Sequence, residues 1–69
     1  MRVIMQWGDG TERVANASRI DPTTDTVFFV FEGQDKYEYA FRQVGDFWYE
    51  PARPHQVVHI QPYQESEHG

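Results

Sequence analysis

His55 and His59 are four residues apart, a spacing that on a helix lets two imidazoles hold one metal ion. Here Pro54 precedes the pair, and Val57, Val58 and Ile60 around it favour a strand. On a strand the two rings lie roughly 13 Å apart along one face, at ~3.3 Å per residue, so one ion does not bridge them. His68 would have to fold back from the polar C-terminal stretch to join them. The expectation is two surface or interface histidines and no metal. The chain has no cysteine, which removes thiolate ligands, thiol nucleophiles and disulfides together. Ser18, Ser66 and the threonines offer hydroxyls, but none sits in a strained nucleophile-elbow motif. The carboxylate pairs Asp21/Asp25 and Asp46/Glu50 arise readily in an acidic chain and serve more simply as turn formers and solubilising charge. A chain this small has little room for a water-excluding cleft. The sequence therefore reads as a non-catalytic protein without a cofactor.

Charge narrows the partners. Eleven acids against six bases give a formal net charge of −5. Glu65 and Glu67 belong to a polar stretch, residues 64–69, expected to form a mobile tail. Residues 1–63, expected to form a single β-domain, then carry nine acids and six bases, or −3. Phosphate backbones are bound by clustered Lys and Arg, and this chain has one lysine, Lys36, so direct nucleic-acid binding is disfavoured. No apolar run approaches the ~18 residues of a membrane span. The N-terminal stretch turns polar too soon for a signal peptide. The expected location is cytoplasmic, with no membrane partner.

The elements that must position any site are short strands. Val3, Met5 and Trp7 alternate with Ile4 and Gln6. Asp9-Gly10 is a favoured pair for a two-residue turn and would set Met5 opposite Val14. The return strand runs from Thr11 to about Ile20, although Val14, Ala17 and Ile20 also make a weak helical stripe over residues 12–19. Asp21-Pro22-Thr23-Thr24-Asp25 is a turn. Between Val27 and Tyr49, nine of twenty-three residues are aromatic. Six of them lie on two alternating runs, Thr26–Glu32 and Lys36–Arg42, joined by Gly33-Gln34-Asp35. A three-residue loop places Glu32 opposite Lys36 and sets Phe31, Phe29 and Val27 against Tyr37, Tyr39 and Phe41. Phe29, Phe31, Tyr39 and Phe41 are the expected core. Val44-Gly45-Asp46 turns the chain into Phe47–Glu50, Pro51–Pro54 interrupts pairing, and His55–Ile60 is a last short strand and a candidate sheet edge. Five or six short antiparallel strands predict an all-β fold, a small barrel or strongly bent sheet of SH3-like or OB-like shape.

The aromatic strand Thr26–Phe31 lacks the basic residue and glycines with which RNA-recognition strands bind bases. Its outward residues, Phe28 and Val30, fit a second packed layer or an interface between copies. Pro51-Ala52-Arg53-Pro54 has PxxP spacing, yet inside a small domain it reads as a rigid connection. Phe47-Trp48-Tyr49 is more informative, because adjacent strand residues point to opposite faces and at least one large ring must face outward. Trp, Tyr and Arg are favoured interface anchors. Trp48, Tyr49, Arg53 and His55, with Asp46 at the turn, form the candidate contact patch, centred on Trp48 and Arg53. The expected function is a protein-binding module, an inhibitor of a host or partner protein in the manner of phage or mobile-element products. Partial nucleic-acid mimicry would run along Asp9, Glu12, Glu32, Asp35 and Glu38. The alternative is an oligomer that stacks a planar, nucleotide-like ligand on Trp7, Tyr37, Tyr39 and Trp48. A deep aromatic pocket would favour the ligand, and an open aromatic-acidic face would favour a protein.

Overall fold

In the computed structural model, which describes residues 1–34 and 36–64, six antiparallel strands close into a barrel. They are β1 (Arg2–Trp7), β2 (Glu12–Asp21), β3 (Thr26–Phe31), β4 (Glu38–Val44), β5 (Phe47–Glu50) and β6 (Arg53–Pro62). Each strand pairs with the next in sequence, and β6 returns to pair with β1. This up-and-down order is simpler than the Greek-key order of an OB barrel. The connections after β1, β3 and β5 consequently lie at one end, opposite the other turns.

Alternation fixes what faces inward. Val3 and Met5 from β1, Ala15 from β2, Phe29 and Phe31 from β3, Phe41 from β4 and Val58 from β6 are buried. Trp7, Ala17, Val27, Tyr39, Trp48 and Ile60 pack against them. The rings form two strings. Phe41, Phe29 and Trp48 meet edge to face at 5.7 and 6.1 Å between centroids. Tyr37, Tyr39, Phe31 and Trp7 follow one another at 4.8, 5.0 and 6.2 Å. The Arg13 guanidinium lies 4.0 Å from the Phe31 ring centroid. So dense an aromatic filling leaves only alanine-sized room on β2, which is why Ala15 is fully buried there. Residues 12–19 are strand throughout, so the helical alternative does not form. Ser18 is an extra residue in the ladder: Ala17 pairs with Phe29 and Arg19 with Phe28. Such a bulge sharpens the local twist that closure requires.

Several registers differ from the expectation. The first hairpin pairs Met5 with Arg13 and Gln6 with Glu12, one residue away from the two-residue-turn register. Trp7 and Thr11 close a three-residue loop, Gly8-Asp9-Gly10, with Trp7 N–H donating to Thr11 C=O at 2.8 Å. A type I′ turn would need positive φ at both Asp9 and Gly10, but only Gly10 has it, at 94°. In the third hairpin Phe29 pairs with Tyr39 and Val27 with Phe41, as expected. The ladder ends at Val30 and Glu38, so Tyr37 lies outside β4 and is exposed. Glu32 does not pair with Lys36; it takes hydrogen bonds from Arg2 and Asn16, across the β2 wall. The expected loop includes Asp35, which lies outside the described residues, as does the expected tail from residue 65 onward. Glu50 pairs with Arg53 across Pro51-Ala52, so β6 starts before Pro54 rather than at His55. Paired with both β1 and β5, β6 is not a sheet edge.

Candidate functional site: an aromatic face beside two carboxylates

The outer wall around β5 and β6 is built from side chains that alternate with the core. Trp48 and Val58 face inward, so Phe47, Tyr49, Val57 and His59 face outward. One row of outward residues runs Val44, Phe47, His59, Gln6, Glu12 across five strands. Val44 pairs with Phe47, His59 with Gln6 and Gln6 with Glu12, and the Phe47 and His59 rings are 6.3 Å apart. The next row is Arg42, Tyr49, Val57. Val44 (64% exposed), Phe47 (52%) and Val57 (49%) put three large apolar side chains in solvent on this one wall. The Val44–Phe47 connection is the two-residue turn Gly45-Asp46, with Gly45 at φ 61°. Positive φ at the first central residue alone is the II′ pattern, which matches strand twist and holds Phe47 firmly in register.

Two adjoining hollows of about 400 Å³ each open onto this wall and share Trp7, Gly8 and Val57. Together they form a trough. Phe47, His59, Gly10 and Glu12 line one part; Asp9, His55 and Gln56 line the other. The half-buried Trp7 ring supplies apolar wall to both. The acids at the trough are held in place. Asp9 Oδ1 accepts a hydrogen bond from Thr11 N–H at 2.9 Å, and this turn contact holds the Asp9 carboxyl below its ordinary value of 3.8. Glu12 accepts from the Gln6 amide at 2.6 Å. No arginine or lysine lines either hollow.

Elsewhere, three arginines pair with glutamates. Arg2 meets Glu32 at 2.7 Å, Arg19 meets Glu38 at 3.0 Å and Arg53 meets Glu50 at 3.3 Å. Hydrogen bonds from Arg2 and then Asn16 hold the Glu32 carboxyl below its ordinary value. Those from Ser18 and then Arg19 do the same for Glu38. A row of bare carboxylates through Glu32 and Glu38 therefore does not exist, because both are already engaged by arginine.

The structure distributes the expected patch rather than gathering it. Trp48 is half-buried, its ring edge to face with Phe29, so the exposed anchor on β5 is Phe47. Tyr49 is half-buried on the outer wall beside Val57. Asp46 is exposed at the turn preceding Phe47. His55 lies on the trough. Arg53 lies on another hollow, of about 620 Å³, with Tyr37, Tyr39 and Pro51, and is paired with Glu50. His59 is exposed, as expected of a surface histidine, whereas nothing in the sequence marks Val57 as a contact residue, because a short apolar strand carries no sign of which parity faces out. Among the described residues no group of three or more His, Asp or Glu side chains is placed to hold a metal ion. No helix of the described residues is long and apolar enough to cross a membrane. Comparison with protein-family models, with curated proteins and with solved structures found no match to this chain.

Proposed function

We propose that the barrel is a non-catalytic protein-binding module that acts as an inhibitor, covering a working surface of its partner. The observation that carries this reading is the outer wall of β4, β5 and β6, where Val44, Phe47 and Val57 stand exposed side by side next to Tyr49. Contiguous exposed apolar groups rimmed by polar ones mark interaction surfaces. Phe47 serves as the central anchor, Tyr49 and His55 extend the contact, and Asp46 and the trough carboxylates form its charged rim. The hollows on this wall are open, which suits a protein surface better than an enclosed planar ligand.

The test is position-specific photocrosslinking. A photoreactive phenylalanine analogue is placed at position 47 or, as control, at position 20 on β2, where Ile20 is even more exposed than Phe47. The expected result, in cells of the source organism, is one protein joined from position 47 and absent from position 20, whose activity falls when the purified barrel is added. Equal labelling from both positions, or none, removes the reading.

A further inference from the structure

We infer that the trough along Trp7 receives a basic segment of the partner, with an arginine or lysine stem lying on Trp7 and Phe47 and its cation facing Asp9 and Glu12. This rests on the protein-binding reading and names the chemistry of the segment bound. Shape comes first: the two hollows share Trp7, Gly8 and Val57, and so give one continuous bed, open at the surface and walled by Trp7, Phe47 and Val57. Gly8 and Gly10 put no side chain into that space, and a Cβ at either would meet nothing within 4 Å. Charge comes second. Asp9 and Glu12 line the trough, and every arginine and lysine of the described residues lies outside its lining. Arg2, Arg19 and Arg53 are instead engaged by glutamates on other faces.

The lining thus has apolar rings and two carboxylates, with no arginine or lysine among its described residues. Long basic side chains match both features, because they carry an apolar stem and a charged head. A cation over an aromatic face gains further attraction from the ring. The loop between β2 and β3 supplies an internal comparison. Asp21 and Asp25 flank it as Asp9 and Glu12 flank the trough, but Pro22, Thr23 and Thr24 give it no aromatic bed. Carboxylates alone would draw a basic peptide to this loop as well, although Arg42, hydrogen-bonded to Thr26 beside it, offsets part of its charge.

The experiment is a nitrogen-15 NMR titration of the whole chain with three probes: acetyl-Leu-Arg-Leu-amide, its neutral citrulline isostere, and acetyl-Leu-Glu-Leu-amide. The expected result is saturable shifts for the arginine peptide at Gly8, Gly10, Val57 and the Trp7 indole N–H. The Thr23 and Thr24 amides stay still. The citrulline peptide binds about threefold or more weakly, as loss of exposed ion pairs and a cation–ring contact implies. Asp9→Asn with Glu12→Gln, which keeps the turn and Gln6 contacts available, removes the preference for arginine over citrulline. The inference is overturned by equal shifts at both loops, by equal binding of citrulline, or by an unmoved trough up to roughly 10 mM peptide. If the trough stays unmoved while position 47 still crosslinks a partner, the basic-segment inference alone falls. If the peptide binds as expected and no partner crosslinks, the trough chemistry stands and the protein-binding reading falls.

Discussion

At the scale of single residues, the aromatic side chains divide by strand parity into those that hold the barrel and those that face out. Phe29 touches both Phe41 and Trp48 and is 3% exposed. Phe29→Ala is expected to cost about 3–5 kcal/mol, close to the whole stability of so small a domain, and urea unfolding measures it. A loss under about 1 kcal/mol would mean a surface-like site. The ion-paired glutamates set a pH dependence. Glu32 and Glu38 titrate lower when folded than when unfolded, so their ionisation favours the folded state. That stability is fully present above the ordinary carboxyl value of 4.5 and is lost as pH falls through the depressed folded values. The urea midpoint should therefore fall on acidification below pH 4.5, and less steeply in a Glu32→Gln, Glu38→Gln double variant. Equal slopes for the two proteins would show that these pairs do not set the acid response. Core residues on β3 and β4 were legible because Phe29 and Phe31, and Tyr39 and Phe41, recur at every second position on two runs that pair as a hairpin. Phe47-Trp48-Tyr49 was not, since three consecutive rings satisfy either parity. What selects Trp48 for the interior is its pairing with Val58, which is buried between β5 and β1.

Elements explain the remaining differences between sequence and structure. Aromatic alternation revealed the β3–β4 hairpin and its pairing of Phe29 with Tyr39 and Val27 with Phe41, but not that the ladder stops at Val30 and Glu38, short of the expected Phe31–Tyr37 and Glu32–Lys36 pairs. The β1–β2 hairpin slipped by one residue because Asp9-Gly10 satisfies two turn types, and only the φ values distinguish them. Gly10→Ala is expected to destabilise by roughly 1–2 kcal/mol through backbone conformation alone, since a Cβ there meets nothing within 4 Å. Thermal unfolding checks this, and an unchanged melting temperature would mean that the loop relaxes into another turn. The small residues of β2 left a weak helical alternative open beside the expected strand, because Ala15 and Ala17 face a core already filled by rings from β3 and β4. On β6, Arg53 pairs with Glu50 and Val57 with Tyr49, leaving Pro54, His55 and Gln56 without a strand partner opposite. Their exposure beside a paired segment predicts that the His55 and Gln56 amides exchange with solvent faster than those of Val58 and Ile60, a contrast native-state hydrogen exchange reads directly. Comparable protection would show that this stretch is pinned by contacts other than ladder bonds.

The whole molecule is a closed wall. Pairing of β6 with β1 removes the free edge that would have offered strand addition as a route to self-association. Contact with a second copy or another protein then falls to side chains and loops, and Val44, Phe47 and Val57 give the outer wall of β4, β5 and β6 three exposed apolar groups. The net charge of −5 favours approach to basic surfaces, but rim charges act mainly on association, whereas a desolvated ring governs how long a complex lasts. That separation gives the most direct test of the central claim that Phe47 anchors a protein partner. Surface plasmon resonance on the crosslinked partner compares Phe47→Ala and Asp46→Asn with the unaltered chain. Phe47→Ala is predicted to raise the dissociation rate at least tenfold, about 1.4 kcal/mol, with the fold intact by circular dichroism. Asp46→Asn should lower the association rate instead, by an amount that shrinks as salt is added. Normal binding by Phe47→Ala, with binding abolished by charge reversal of Asp9 and Glu12, would contradict the account and make the contact electrostatic.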